Sequence, residues 1–174
     1  DGFDWRSFDT ECNTSLFPDC LNITTNILSS NHIKNNMKSL FFDGDKTTAT
    51  QNQANKLKFH KNSEDVVSFE LDESVPDGGT IVFYWSDAEP GNQGFLVDLK
   101  NNGVTSQTSV DSFNDSVLAN STNIHIGDNN YKLSINLIND INSITIKASP
   151  NTDHPRLYEI EVLDKQGVVI PLCK

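Results

Sequence analysis

The chain is poor in basic residues and has no long apolar run. Of its 174 residues, 13 are Lys or Arg and 24 are Asp or Glu, so the formal net charge is -11 and the sequence pI is about 4.6. This acidity opposes binding to nucleic acid and to anionic membranes. No stretch approaches the roughly 18 apolar residues of a membrane span, and Asp1–Trp5 does not resemble a signal peptide. We expect a soluble protein, or one whose signal peptide and anchor lie outside this sequence.

Sequence signatures of catalysis are also missing. The chain contains no Gly-x-Ser-x-Gly elbow, no His-Glu-x-x-His motif and no phosphate-binding glycine loop. Paired carboxylates of the kind that glycosidases use do occur, but pairs arise by chance in a chain with 24 acidic residues. These pairs are Asp43 with Asp45, Asp87 with Glu89, and Glu159 with Glu161. The sequence therefore predicts that the domain is not an enzyme.

Cysteine is scarce and confined to the two ends of the chain, at Cys12, Cys20 and Cys173. This placement suits a disulfide that ties the termini together. It does not suit a zinc site, because zinc ligands come in close pairs and the four histidines (32, 60, 125 and 154) are scattered. One thiol is left over, or pairs with something outside this chain.

Four Asn-x-Ser/Thr sequons favour a secreted or cell-surface glycoprotein. They begin at Asn13, Asn22, Asn114 and Asn120.

Short runs of apolar and polar residues dominate from Ile23 onward, and they alternate in Val66–Leu71 and Leu157–Leu163. Turn residues such as Pro76-Asp77-Gly78-Gly79 separate them. Apart from one short helical turn between Asn31 and Leu40, no stretch has a helical period. We predict an all-β, antiparallel β-sandwich or jelly roll of about eight strands. An irregular segment (1–20) packs on a single domain (21–174).

The most informative short stretch is an acidic turn that follows Leu40-Phe41-Phe42. Asp43, Asp45 and Thr48 carry oxygen atoms at close spacing, and Gly44 permits the sharp bend between the carboxylates. Ca²⁺ prefers six to eight oxygen ligands of this kind. The alternative is an ordinary solvated Asp-Gly turn.

Two separated segments together resemble the galactose-binding-like β-sandwich of discoidin (coagulation-factor C-type) domains and of family 32 carbohydrate-binding modules. The first runs from Ile27-Leu28-Ser29-Ser30 through the acidic turn to Val66–Leu71, and the second is Arg156–Val162, which looks like that family's closing strand. The resemblance covers roughly residues 20 to 165 and rests on the order and spacing of the segments. It implies a lectin-like, non-catalytic domain in an extracellular setting.

The resemblance also implies a structural calcium ion between the acidic turn and the closing strand. The ligands implied are the side chains of Asp43 and Glu159, the hydroxyl and carbonyl of Thr48, and the backbone oxygens of Leu40, Asp45 and Tyr158. By family spacing, Cys12 is implied to pair with Cys173. A Cys20–Cys173 bond and a local Cys12–Cys20 bond are alternatives.

The family's sugar-contacting residues are not retained, because Gln51 and Asp87 stand where a histidine and a basic residue often occur. An acidic, Asn-rich rim is nevertheless suited to hydrogen-bonding sugar hydroxyls against an aromatic face. The candidate ligand-binding residues are Gln51, Trp85, Asp87 and His154. The alternative is a core position for Trp85 and a solvated loop position for His154. We predict binding of a glycan or a glycosylated surface. The alternative is a protein-interaction module of a larger surface or adhesion protein.

Overall fold

A computed structural model describes residues 20–46, 57–60, 65–86, 95–108, 120–148 and 155–173. These residues form eleven strands and one 3-10 helix, Asn35–Phe42. The strands are β1 (Leu21–Ser29), β2 (Leu57–Lys58), β3 (Val66–Val75), β4 (Thr80–Ser86), β5 (Phe95–Asn101), β6 (Val104–Thr108), β7 (Ser121–Gly127), β8 (Asn130–Asn136), β9 (Ile141–Ala148), β10 (Arg156–Leu163) and β11 (Leu172–Cys173). The predicted all-β fold is confirmed, but the count of about eight strands is too low.

The strands build two sheets that pack face to face. One has the order β11-β1-β3-β9-β5-β6, and the other has the order β2-β10-β4-β8-β7. Every pairing is antiparallel except the short parallel contact of β1 with β11. Alternate side chains of the paired strands point inward and form one apolar core.

The predicted helical turn is present as the 3-10 helix, which extends to Phe42, two residues beyond the predicted stretch. Its last two residues, Phe41 and Phe42, are buried. Their rings meet the Phe69 ring edge-on, with centroids 5.0 and 5.9 Å apart. These aromatic contacts fix the exit of the helix, and therefore the start of the acidic turn, against the core.

A disulfide joins Cys20 to Cys173 and so ties the start of β1 to the end of β11. The bond closes a loop of 153 residues, which stabilises the fold by about 5 kcal/mol on the chain-entropy estimate. The pairing of Cys12 with Cys173 is therefore wrong, and the alternative with Cys20 is correct. Apart from Cys20, the predicted N-terminal segment (1–20), with Cys12, lies outside the described residues.

Within the described ranges, no helix has the length and apolar character needed to span a bilayer.

Candidate functional site

The acidic turn and strand β10 meet, as the resemblance implies, although they are more than a hundred residues apart in sequence. The backbone N–H of Gly44 donates to Oε2 of Glu159 at 2.9 Å. Gly44 has φ +83°, a conformation that glycine adopts without strain. The N–H of Asp45 donates to Oδ1 of Asp43 at 2.9 Å, which closes the turn on itself.

A β-bulge in β10 lies next to this contact. Leu157 lies opposite Trp85, yet Glu159 lies opposite Tyr84, so Tyr158 is an extra residue in the ladder. Beyond the bulge, Ile160 packs in the core, and Glu159 faces the acidic turn. Bulges commonly re-aim a side chain at a functional site. The alternation of the sequence does not reveal this one, because Leu157, Tyr158, Glu159 and Ile160 are all buried.

Glu159 is a buried carboxyl group among other acids. It is 7% exposed, and burial raises its pKa from 4.5 to about 7, with further increases from Asp43 and Glu161. The hydrogen bond from the Gly44 N–H acts in the opposite direction. A bound cation would remove the penalty on the ionised form, because it replaces lost hydration with direct ligation.

Glu161, two residues further along β10, is more exposed to solvent than Glu159. Its Oε2 is 3.1 Å from Nζ of Lys46, which follows the acidic turn. Lys46 also lies over the Tyr84 ring, 5.3 Å from the centroid. Burial, followed by the hydrogen bond with Glu161, raises the pKa of the Tyr84 hydroxyl. Glu161 is therefore paired with Lys46, whereas Glu159 forms no ion pair with any residue in the described ranges.

The residues of the predicted calcium site fit a hard cation in part. The structure brings the Asp43 and Glu159 side chains together, with the backbone of Leu40, Asp45 and Tyr158 on the same two segments. Thr48 lies outside the described residues. Within the ranges described, no group of three or more His, Cys, Asp or Glu side chains is arranged to hold a metal. The groups that the structure brings together are two carboxylates, and oxygen ligands of this kind suit Ca²⁺ rather than Zn²⁺.

Of the predicted ligand-binding residues, the structure describes Trp85. Gln51, Asp87 and His154 lie outside the described residues. Trp85 is a core residue, 1% exposed, and its ring stacks on Tyr131 with centroids 4.7 Å apart. Its Nε1–H donates to Oδ1 of Asn123 at 3.1 Å. A ring held in this way gives no support to the predicted contact with a ligand.

A polar cluster that the sequence does not reveal joins two connecting segments, one between β1 and the 3-10 helix and one between β2 and β3. The rings of His32 and His60 stack with centroids 3.6 Å apart, and Asp65 is 1% exposed. Asp65 accepts hydrogen bonds from the Ser30 hydroxyl at 2.7 Å and from the His60 N–H at 2.9 Å, and its Oδ2 is 3.3 Å from Nδ1 of His32. The His32 side chain is 41% exposed. The cluster therefore presents a partly exposed imidazole stack held by a buried carboxylate.

Comparison with known proteins gives matches only among solved structures. One is described as "CpGH89CBM32-6 produced by Clostridium perfringens", with 11% identity over 82% of this chain and 93% of that chain and a TM-score of 0.48. The other is described as "GH31 CBM32-2 bound to GalNAc", with 14% identity over 84% of this chain and 100% of that chain and a TM-score of 0.47. Both are family 32 carbohydrate-binding modules, one of the families that the sequence resembles.

No protein-family model matches the sequence, and no curated protein matches it. Because the identities are 11% and 14%, neither a ligand nor a binding site is assigned to this chain from these two structures.

Proposed function

We propose that this domain is a non-catalytic, extracellular recognition module that holds one structural calcium ion and binds a glycan through the connecting segments at one end of the sandwich. The observation that carries the proposal is the burial of Glu159 against Asp43 and the Gly44 N–H. Two carboxyl groups brought together at the surface of a core are costly unless a cation or a proton lies between them.

The calcium ion would be held by the carboxylates of Asp43 and Glu159 and by backbone oxygens of Leu40, Asp45 and Tyr158, with Thr48 as a further predicted ligand. When bound, it would supply charge neutralisation and pin the acidic turn to β10. Glu159 already serves as the hydrogen-bond acceptor of that turn. Because it is buried and faces the chain's own turn, Glu159 is poorly placed to be the acid or base of a hydrolase.

Calcium binding is tested by calorimetry and by thermal unfolding of the purified domain in calcium and in excess chelator. We expect a single site. At a free calcium concentration 100-fold above the dissociation constant, it should stabilise the fold by about 2.7 kcal/mol. Asp43→Ala should abolish the difference between the two conditions. An identical melting temperature in calcium and in chelator for the unaltered protein would refute the calcium site.

Glycan recognition is supported by the residues of the imidazole stack. Sugars are bound by convergent hydrogen-bonding groups beside a flat ring. The stack of His32 and His60 offers a ring face, and Asp65 holds it by contacting the His32 ring and the His60 backbone N–H. Such fixing lowers the entropic cost of binding. The stack lies on segments that connect strands, where recognition residues are commonly found.

Binding to an array of glycans, followed by calorimetry with the best ligand, tests this part. His32→Ala and His60→Ala should each weaken binding about tenfold or more, which corresponds to about 1.4 kcal/mol. His125→Ala is the matched control, because His125 lies on β7 and bonds the backbone of Asp128 instead. Absence of detectable binding to any glycan at millimolar concentration would refute the carbohydrate function, whatever the outcome for calcium.

One observation favours the alternative, a protein-interaction module of a larger surface or adhesion protein. With Cys20 and Cys173 bonded to each other, Cys12 has no other cysteine in this chain with which to pair. A thiol in an oxidising compartment commonly bonds to a second chain. Co-purification of a disulfide-linked partner that is lost in Cys12→Ser would favour this alternative over the glycan.

A further inference from the structure

Strand β7 is an edge strand with unusual exposure. Within the described part of the chain it pairs only with β8, and every residue from Thr122 to Gly127 is exposed. Ile124 and Ile126 are 51% and 42% exposed, and the strand contains no Asp, Glu, Lys or Arg. An uncharged edge strand with exposed apolar side chains invites pairing with another chain, and natural proteins normally protect such edges.

A sequon lies directly at the start of this strand. Asn120-Ser121-Thr122 satisfies the Asn-x-Ser/Thr pattern, and Asn120 is exposed with φ +64°. Its carbonyl oxygen accepts a hydrogen bond from the N–H of Asn136 at 2.9 Å. The backbone of Asn120 is therefore anchored to the sheet.

The other sequon within the described residues differs in its local contacts. Asn22 lies inside β1, which pairs with β11 on one side and with β3 on the other. The Asn22 Nδ2, the atom that a glycan would modify, donates to Oδ2 of Asp72 at 2.8 Å. A glycan at Asn22 would be attached to an atom that already contacts Asp72. At Asn120, a glycan would instead stand beside an edge strand that lacks charges.

The Cys20–Cys173 disulfide independently supports passage through the secretory pathway, where N-linked glycans are added. Disulfides form and persist in oxidising compartments such as the secretory pathway, and N-linked glycans are added to sequons of secreted proteins. In the transfer, the Asn amide nitrogen bonds to the anomeric carbon of a lipid-diphosphate-linked oligosaccharide. The bond from that carbon to the diphosphate breaks, and the nitrogen loses one proton.

We propose that Asn120 is an N-glycan acceptor and that its glycan protects the exposed edge of β7 from pairing with another chain. The bulky, hydrated glycan performs there the role that charged side chains or prolines perform on other edge strands.

The test uses the full chain secreted from a eukaryotic cell line, with Asn13, Asn22 and Asn114 changed to Gln so that one sequon remains. Thr122→Ser keeps the sequon and Thr122→Ala destroys it, while both leave Asn120 and its left-handed backbone unchanged. We expect the Thr122→Ser protein to carry one glycan, located at Asn120 by peptide mapping after enzymatic deglycosylation. We also expect it to sediment as a monomer.

The Thr122→Ala protein should lack the glycan and shift towards larger species at equal concentration. Adding Ile124→Lys to it should restore the monomer, because a charge then blunts the edge. An unmodified Asn120 in the Thr122→Ser protein would overturn the assignment of the site. Equal sedimentation of the glycosylated and unglycosylated proteins would overturn the protective role. Neither result bears on calcium or glycan binding.

Discussion

Asp65 and Glu159 are both buried acids that hold a connecting segment onto the sandwich, yet their surroundings are opposite. Asp65 accepts hydrogen bonds from Ser30 and His60 and lies beside His32. Among the described residues, Glu159 accepts one backbone N–H and faces the carboxyl groups of Asp43 and Glu161. A buried carboxylate is stable where donors or positive charge surround it. Asp65 therefore has hydrogen-bond donors around it, whereas the described surroundings of Glu159 are one donor and two other acids.

Removing Asp65 should lower the free energy of unfolding more than removing Glu159. Asp65→Ala leaves the Ser30 hydroxyl and the His60 N–H without their acceptor, so we expect a loss of roughly 3–5 kcal/mol. This corresponds to about 2–4 °C in melting temperature for each kcal/mol. The loss, measured by thermal unfolding, should be the same in calcium and in chelator.

Asp65→Asn is the matched control, since the amide keeps one acceptor oxygen at the same position. It should retain part of the lost stability. A cost below 1 kcal/mol for Asp65→Ala would mean that the Asp65 contacts do not secure these segments.

Glu159→Gln should have an effect whose sign depends on calcium. In chelator at pH 8, the amide removes an uncompensated buried charge, so stability should be equal to or above that of the unaltered protein. In calcium, it removes a ligand, so the stabilisation of about 2.7 kcal/mol expected at 100-fold excess should largely disappear. Denaturant unfolding of both proteins in calcium and in chelator measures this change of sign. An equal loss in both conditions would show that Glu159 is only a structural acceptor for Gly44.

The calcium-free protein should lose stability as the pH rises through the range in which Glu159 titrates. The folded-state pKa of Glu159 is raised to about 7 from 4.5, so between these values the folded protein holds a proton that the unfolded chain has released. Its contribution to stability is fully present below pH 4.5 and is lost as the pH rises through about 7.

The slope of stability against pH is measured from unfolding free energies in chelator between pH 5 and pH 8. The Glu159→Gln protein is the reference. The slope should be reduced in the variant. Added calcium should stabilise the unaltered protein more at pH 8 than at pH 6, because protons compete for the same carboxylate. A slope that is identical with and without Glu159 would assign the pH dependence to other groups.

The sequence predicted those parts of the molecule that depend on local pattern. Alternation predicted strands such as β3 and β10, and Asp43-Gly44 after Phe41-Phe42 predicted a turn. The resemblance correctly placed Glu159 beside that turn. A local pattern alone would not have done so, because 115 residues separate Gly44 from Glu159.

Features that arise only from tertiary contacts were missed. The bulge at Tyr158 interrupts the ladder without interrupting the apolar pattern. The stack of His32 on His60 depends on two connecting segments meeting over Asp65, so scattered histidines were interpreted as unrelated. For Trp85 the sequence left a ligand contact and a core position open, and its contacts with Tyr131 and Asn123 show that it belongs to the core.

The smallest effect is expected for Glu161, the acid that shares β10 with Glu159. Its partner Lys46 has a side chain that is 45% exposed, and their atoms are 3.1 Å apart. Ion pairs that reach solvent contribute about 0–1 kcal/mol, because water screens the attraction and both side chains lose freedom. Glu161→Gln should therefore cost less than about 1 kcal/mol by denaturant unfolding, and equally in calcium and in chelator. A loss that appears only in calcium would make Glu161 a ligand and place the ion further along β10 than the geometry of Asp43, Gly44 and Glu159 indicates.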